Sequence, residues 1–98
     1  MSINLIEFDK LEEYLKLHDY NYVRDDVWAD HLEGEWHQIT VKGAKNNYLW
    51  DVVCHYGSYG YEQGLLEVQG NIVKDEPVSI RGNLTANDII NILERKST

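Results

Sequence analysis

Residues 49–56 alternate between two kinds of side chain, and this alternation constrains the fold more than any other feature of the sequence. Apolar or aromatic residues occupy the even positions, and polar residues occupy two of the odd ones: Trp50, Val52, Cys54 and Tyr56 against Asp51 and His55. Successive side chains of a β-strand point to opposite faces of its sheet. The pattern therefore predicts a strand in an antiparallel sheet that is covered on one face and polar on the other.

Length and composition predict a single folded domain, residues 1–98. The chain has 98 residues, 43% of them hydrophobic, and its one proline is Pro77. These values suit one compact core and argue against intrinsic disorder. The sequence contains no run of about 18 apolar residues that could span a membrane, no secretory leader pattern, and one cysteine, Cys54. We therefore expect a cytosolic protein that does not bind membranes.

Amphipathic spacing predicts an N-terminal helix that begins near Asn4 or Asp9. Each of these capping residues is followed three positions later by a glutamate. The expected buried stripe consists of Phe8, Leu11, Leu15 and His18, widened by Tyr14 and Leu17. Residues 20–23 allow a short strand, and residues 24–34 are predicted to form a loop because acidic residues and glycine interrupt either periodicity.

The rest of the chain is predicted to form further strands and a final helix. The strand segments are residues 36–42, 49–56, 65–73 and 78–81, with a bulge at Gly70 and further inward side chains at Leu66, Val68, Ile72, Val78 and Ile80. The final helix is capped by Thr85 and Asp88, and its buried face is expected to contain Ala86, Ile89, Ile90 and Leu93. The predicted fold is α+β: an antiparallel meander of three or four strands with an N-terminal and a C-terminal helix packed on one sheet face.

Negative charge is concentrated in the N-terminal third of the chain. Seventeen acidic and nine basic residues give a net charge of −8, and residues 1–35 alone contain ten acidic and three basic residues. This charge disfavours direct binding to a nucleic-acid backbone or an anionic membrane. The acidic third is interpreted either as a solvated surface or as a docking surface for a basic partner that includes Asp25 and Asp26. Alternatively, it imitates nucleic acid and occupies the basic cleft of a nucleic-acid enzyme.

Tyrosine and glycine dominate the segment that follows the central strand. The tyrosines are Tyr56, Tyr59 and Tyr61, and the glycines are Gly57, Gly60 and Gly64. A loop of this composition is typical of adaptable recognition surfaces, so the three tyrosines are candidate partner-binding residues. The alternative is that Tyr59 and Tyr61 fold back on the sheet as a lid over Trp36 or Trp50. No Gly-Lys-Ser/Thr sequence follows the glycines, so a phosphate-binding loop is not indicated.

Strand geometry separates the candidate catalytic residues. Cys54 and His55 are neighbours, so on a regular strand they point to opposite faces and cannot act as a thiol and its base. Asp51 and His55 share a face, but four residues of strand separate them by roughly 13 Å. A cluster of His55, Asp51 and Glu67, with Arg81 nearby, requires neighbouring strands and a concave pocket. An enzyme of this kind is an alternative, whereas the predicted class is non-catalytic.

Metal ligation is not indicated by the spacing of the possible ligands. These residues are His31, His37, Asp30, Glu33 and Glu35. They match neither the helical His-Glu-x-x-His arrangement of zinc enzymes nor the ladder of oxygen ligands in a calcium loop. The sequence therefore predicts no metal and no other cofactor, with His18 at the edge of the helix and His37 as an ordinary strand residue.

Two segments resemble a known group of proteins. Residues 50–67, from Trp50 through the Tyr/Gly run to Glu67, and residues 82–90, Gly-Asn-Leu-Thr-Ala-Asn-Asp-Ile-Ile, are similar to small uncharacterised proteins of phages and prophages of Gram-positive bacteria. The resemblance implies a phage origin and assigns no activity. We therefore predict a small acidic interaction module that binds a host or phage protein through the Tyr/Gly loop or the acidic surface. Self-association is also possible, because one sheet face is expected to be open.

Overall fold

The computed structural model of the chain describes residues 4–30, 34–55, 58, 60–73 and 80–96. The helices and strands follow in the order α1 (Ile6–Leu17), β1 (Tyr22–Ala29), β2 (Gly34–Lys42), β3 (Tyr48–His55), β4 (Leu66–Gly70), β5 (Ile80–Leu84) and α2 (Ala86–Lys96). The strands form one antiparallel sheet in the order β1-β2-β3-β4-β5. The predicted α+β meander is confirmed, with five strands rather than three or four.

Both helices contribute to one core on the same side of the sheet. The core residues are Phe8, Leu11 and Leu15 of α1, Ile39, Val41, Trp50, Val52, Cys54, Leu66, Val68 and Leu84 of the strands, Ile72, and Ala86, Ile89, Ile92 and Leu93 of α2. The inward alternation predicted for Trp50, Val52 and Cys54 is thus confirmed. Neither α1 nor α2 is long and apolar enough to cross a bilayer, and no other described helix is.

The first helix begins close to its predicted start, but its buried stripe is narrower than expected. The side-chain Oδ1 of Asn4 accepts a 3.0 Å hydrogen bond from the Ile6 N–H. Leu17 is 73% exposed. It follows the buried Leu15 by two residues, which places it about 200° around the helix, on the opposite side. His18 is exposed and lies at the C-cap position, just after the last residue of the helix.

The prediction of a loop over residues 24–34 is wrong for residues 24–29, which belong to β1; residues 31–33 of that segment lie outside the described residues. Every residue of β1 pairs with β2, from Tyr22 opposite Val41 to Ala29 opposite Gly34. Asp25 and Asp26 are exposed within this strand. An edge strand open to solvent tolerates acidic residues and needs no strict apolar alternation, so its pairing was not visible in the sequence pattern.

The last two strands differ from their predicted bounds. Gly70 ends β4 instead of forming a bulge, because its φ of +108° turns the chain into a short 3₁₀ helix, Asn71–Val73. Ile80 was expected to point inward but is 42% exposed, whereas Leu84 is buried. The register of β4 with β5 shifts between Leu66 and Val68, which disrupts the simple alternation. Val78 lies outside the described residues.

The capping box of α2 is present as predicted. Thr85 Oγ1 accepts the Asp88 N–H at 3.1 Å, and Asp88 Oδ2 accepts the Thr85 N–H at 2.9 Å. Ala86 and Ile89 are fully buried, and Leu93 is 8% exposed. The capping hydrogen bonds therefore set the start of α2, and its apolar face sets the orientation of the helix on the sheet, both as the sequence predicts.

Candidate functional site

The sheet face opposite the helices forms an open concavity of about 490 Å³. Its lining residues are Trp36 and Gln38 of β2, Tyr48, Asp51, Val53 and His55 of β3, and Glu67 and Gln69 of β4. This set of residues is called the open-face site below. Inward and outward side chains alternate along the three central strands, so most of the open-face site consists of the outward members of these strands. Tyr48 is the exception, because it has the parity of the inward Trp50 and joins the site where the register of β2 and β3 shifts between Val41 and Lys42.

Strand register brings the members of the open-face site together. Trp36 is opposite His55, and Gln38 is opposite Val53. Val53 is in turn opposite Glu67, and Asp51 is opposite Gln69. Directly opposed residues of antiparallel strands have Cβ atoms about 4.5–5.5 Å apart. The site is therefore a continuous surface built across β2, β3 and β4.

Hydrogen bonds hold Asp51 in a fixed position within the open-face site. Tyr48 OH donates to Asp51 Oδ1 at 2.5 Å, and Gln38 Nε2 donates to Asp51 Oδ2 at 3.1 Å. Trp36 Nε1 donates to Gln38 Oε1 at 3.0 Å and so orients the amide. Burial raises the pKa of the Tyr48 phenol, and the hydrogen bond to Asp51 raises it further. Tyr48 therefore stays a proton donor at neutral pH.

Gly70 makes room for the Tyr48 hydroxyl at the edge of the site. A Cβ atom on Gly70 would lie 2.7 Å from the Tyr48 hydroxyl oxygen and 2.9 Å from the Leu49 carbonyl oxygen. Both separations are shorter than van der Waals contact allows, and the left-handed backbone of Gly70 also disfavours other residues. The end of β4 is thus shaped so that Tyr48 reaches Asp51.

An aromatic pair and a half-buried carboxyl group complete the open-face site. The rings of Trp36 and His55 stack with centroids 4.1 Å apart and planes 5° apart. Burial raises the pKa of Glu67; the nearby His55 opposes this effect, and the charge of Asp51 adds to it. Glu67 makes no side-chain hydrogen bond to another described residue. Of the two carboxyl groups in the site, that of Glu67 therefore has fewer side-chain hydrogen bonds from described residues than that of Asp51.

The electrostatic character of the open-face site is negative. Asp51 and Glu67 are acidic, and none of the described lining residues is Lys or Arg. Asp25 lies on the same sheet face, because its register partner is Gln38. Carboxylates next to aromatic rings are suited to bind a cationic group, which gains charge-assisted hydrogen bonds together with contact to a ring.

The structure separates the two acidic residues that the sequence analysis grouped. Asp25 is on the open face, whereas Asp26 is on the helix face, opposite His37. Asp26 accepts hydrogen bonds from Arg24 Nε at 2.9 Å and pairs with His37 Nδ1 at 2.6 Å. Burial would raise the pKa of Asp26, but the hydrogen bonds from Arg24 and then His37 lower it overall. Asp26 is therefore part of a structural network.

Arg24 is the centre of this network. Its Nη1 donates to Asp9 Oδ1 and Glu12 Oε1, both at 2.8 Å, and its guanidinium lies 4.7 Å from the Phe8 ring centroid. These contacts join α1 to the edge strand β1. They also neutralise part of the acidic N-terminal third, which reduces the charge available for nucleic-acid mimicry.

Only part of the Tyr/Gly segment is described. Tyr56 and Tyr59 lie outside the described residues. Tyr61 is half-buried in a 3₁₀ helix, Tyr61–Gln63. Ser58 is buried, and its hydroxyl donates to the His55 carbonyl at 2.8 Å. The start of the segment is thus tied to the end of β3, and partner binding by the tyrosines stays a prediction.

Cys54 forms no reactive pair within the described residues. It is fully buried on the helix face, whereas His55 is stacked on Trp36 on the open face. Burial, and then the charge of Glu35, raises the pKa of the Cys54 thiol to about 11. His37 is the register partner of Cys54, but no hydrogen bond joins them, and His37 Nε2 is buried without a hydrogen-bond partner. Cys54 is therefore a protonated core thiol.

Other parts of the described chain offer weaker sites. No group of three or more His, Cys, Asp or Glu side chains there could hold a metal ion; His31 and Glu33 lie outside the described residues. A larger hollow, about 580 Å³, lies along α2 and is lined by Arg81, Asp88, Asn91, Ile92, Glu94 and Arg95. Its charges are mixed in sign, and Asp88 is already used as a helix cap.

Strand alternation in the sequence predicted only three members of the open-face site. Asp51, His55 and Glu67 were identified, whereas Trp36, Gln38, Tyr48 and Gln69 were not. Trp36 and Gln38 alternate with His37 and Ile39, and this alternation was the signal that could have placed them together on the open face.

No protein-family model, curated protein or solved structure matches the chain.

Proposed function

We propose that this protein is a non-catalytic, cytosolic and phage-derived interaction module that binds a basic segment of a protein partner at the open-face site. The observation that carries the proposal is the pair of carboxyl groups, Asp51 and Glu67, in a concavity whose described lining includes three aromatic rings and neither Lys nor Arg. A lysine or arginine side chain would find charge-assisted acceptors and an aromatic surface there.

Glu67 gives the proposal an energetic basis. Its raised pKa, caused first by burial, means that the folded protein disfavours the ionised carboxylate. A cation bound beside Glu67 would reverse this penalty, so part of the binding free energy comes from the carboxylate that folding leaves uncompensated. Asp51 differs, because Tyr48 and Gln38 already occupy both of its oxygens. We therefore expect Glu67 to contribute most to cation binding and Asp51 to position the surrounding side chains.

The experiment is a titration of the ¹⁵N-labelled protein with a short Lys/Arg-rich peptide, followed by NMR. A peptide of the same length with glutamate in place of the basic residues is the ligand control. Expected shifts concentrate on the indole N–H of Trp36 and the amides of Gln38, His55 and Glu67. Shifts confined to α1, or equal shifts with both peptides, would contradict the proposal.

A matched pair of variants tests the role of Glu67. Glu67→Gln should weaken peptide binding about tenfold, because a charged acceptor is lost from a half-buried position. Glu13→Gln, an identical change at an exposed position on α1, should leave binding unchanged. Binding should also strengthen as pH rises through the raised pKa of Glu67. Equal affinities of the two variants would show that negative charge in general, not the open-face site, attracts the peptide.

An acid–base enzyme is the second candidate function. The observation that favours it is that Asp51, His55 and Glu67 line one concavity, as an active site assembled across strands requires. In that case Glu67, with its raised pKa, is the proton donor and His55 the base. The test is incubation with a small-molecule extract of the host, followed by NMR. Turnover beyond one equivalent that His55→Ala abolishes would identify an enzyme, whereas the absence of turnover would contradict this second candidate.

A further inference from the structure

We propose that the chain forms a symmetric dimer in which β1 pairs antiparallel with β1 of a second copy. This would join the two sheets edge to edge. The proposal does not depend on the function of the open-face site, which lies on β2, β3 and β4 and remains accessible in such a dimer.

The two edges of the sheet differ in the features that normally prevent edge pairing. β1 has eight residues, pairs with β2 without a register shift, and contains neither proline nor glycine. β5 has five residues, includes Gly82 and the left-handed Asn83 at φ +58°, and shifts register against β4. Short, irregular edges resist pairing with another chain, whereas long, regular edges favour it. β5 is therefore protected by its length and irregularity, whereas the protection of β1 is limited to its charged residues Arg24, Asp25 and Asp26.

Apolar side chains on β1 are unusually exposed. Val23 is 43%, Val27 54% and Trp28 64% exposed. Val23 and Val27 lie on the open face, and Trp28 lies on the helix face, because strand residues alternate. An added strand would therefore cover apolar surface on both faces of the sheet while satisfying the outer backbone groups of β1.

Symmetry restricts the register of the proposed pairing. A two-fold axis perpendicular to the sheet places residues of equal parity opposite each other, so it must pass through a residue position. An axis at Arg24 sets two guanidinium groups opposite each other, and an axis at Asp26 sets two carboxylates opposite each other, with no pair of opposite charges in either register. An axis at Asp25 also opposes two carboxylates, but it forms two pairs of opposite charge, because each Arg24 lies opposite Asp26 of the second copy. Charge complementarity therefore selects the register centred on Asp25.

Arg24 and Asp26 can form these pairs without losing the hydrogen bonds that they make within one chain. Arg24 donates through Nε and Nη1, and within the described residues its Nη2 makes no hydrogen bond. The Asp26 side chain is 43% exposed. An arginine has five N–H donors, so Arg24 can keep its contacts with α1 and also reach the second copy.

The same register pairs the exposed apolar residues. Val23 comes to lie opposite Val27 of the second copy on the open face, and Tyr22 opposite Trp28 of the second copy on the helix face. Asp25 faces its own equivalent at the axis. This like-charge pair is the unfavourable element of the interface, and it makes the dimer sensitive to a single substitution.

Sedimentation equilibrium tests the oligomeric state and its surface. We expect the wild-type chain to dimerise, Asp25→Asn to tighten the dimer up to about fivefold, and Val27→Lys to dissociate it. Ile80→Lys places the same charge on the exposed position of the β5 edge and should leave the dimer intact. Circular dichroism checks that each variant is folded. A monomeric wild type at millimolar concentration, or dissociation by Ile80→Lys and not by Val27→Lys, would overturn the proposal.

Cysteine cross-linking tests the register independently. Under mild oxidation, Asp25→Cys should cross-link to itself, because both residues lie at the axis. Val23→Cys and Val27→Cys should cross-link efficiently only when the two variants are mixed. The native Cys54 is fully buried and does not interfere. Efficient self-linking of Val23→Cys with no linking of Asp25→Cys would exclude the proposed register.

Discussion

Glu7 of α1 accepts a 2.7 Å hydrogen bond from the backbone N–H of Ala86, the first residue of α2. The contact joins residues that are 79 positions apart in the sequence. The carboxylate satisfies one of the free N–H groups at the start of α2 and places a negative charge at the positive end of its dipole. The two helices are therefore coupled by a specific contact as well as by the shared core.

Replacement of Glu7 should destabilise the fold. We expect Glu7→Ala to lower the free energy of unfolding by about 1–2 kcal/mol, because Ala86 N–H is left without its acceptor in a partly buried position. Glu7→Gln keeps an acceptor and should lose less. Urea denaturation of both variants measures the change, with Glu13→Ala on the exposed side of α1 as the control. A loss for Glu13→Ala equal to that for Glu7→Ala would contradict a specific role for the contact.

Asp26 should make the stability depend on acidity. Its pKa is held below the ordinary value of 3.8, since hydrogen bonds from Arg24 and His37 outweigh the effect of burial. The folded state therefore binds this proton more weakly than the unfolded state, so the contribution is complete above about pH 4 and is lost as pH falls through the lowered pKa. We expect Asp26→Asn to cost about 1 kcal/mol at pH 6, a modest value because the carboxylate is partly solvated.

Urea denaturation at pH 6 and at pH 2.5 measures this difference. The stability gap between the wild type and Asp26→Asn should narrow at the lower pH, because the carboxyl group of the unfolded chain is protonated there and the folded carboxylate contributes less. Asp25→Asn is the neighbouring control on the other face of β1 and should show a smaller change. A gap between wild type and Asp26→Asn that stays constant across this range would show that its charge is not involved.

Cys54 should be inert towards thiol reagents in the folded protein. The residue is fully buried, and burial, followed by the charge of Glu35, raises its pKa to about 11. At pH 8 very little thiolate is present, and the reagent can reach it only when the chain opens. We expect reaction with a disulfide reagent to follow the unfolding rate, whereas urea-unfolded protein reacts at once. Rapid labelling of the native protein would show that the thiol is accessible.

Tyr48→Phe should weaken the open-face site more than the fold. Removal of the hydroxyl leaves Asp51 with the amide of Gln38 as its remaining described donor. Because Tyr48 is 51% exposed, water can replace part of the lost interaction, and we expect a loss of about 1 kcal/mol in unfolding free energy. The control is Tyr14→Phe on α1. Basic-peptide binding should fall with Tyr48→Phe and stay constant with Tyr14→Phe; the reverse result would place the binding surface elsewhere.

Stability and binding should respond in opposite directions to Glu67→Gln. Because the pKa of Glu67 is raised in the folded state, the free energy of unfolding falls as pH rises and this carboxyl group ionises. Replacement of the carboxyl group by a neutral amide removes this loss of stability at pH 7. We expect an unfolding free energy equal to or slightly above that of the wild type, together with weaker peptide binding. A clear loss of stability would indicate that Glu67 is a structural residue.

Local sequence signals were sufficient for the elements that bury one face. The alternation of Trp50, Val52 and Cys54 fixed the orientation of β3, and the Thr85–Asp88 pair fixed the start of α2. Each signal depends only on the spacing of side chains along a strand or helix, so it is visible in a single sequence. The α+β class, the two helices and the central strands follow from such patterns.

Only the tertiary structure decided which distant residues meet. β1 is a strand because it pairs with β2 along its whole length. The acidic residues in β1 do not alternate with apolar residues, so the sequence pattern could not predict this pairing. Glu7 was expected to help cap its own helix and instead contacts Ala86. The open-face site depends on the register of three strands, since a shift of one residue would exchange its inward and outward side chains. Periodicity specifies the face on which a side chain lies, but backbone pairing across the sheet specifies its neighbours.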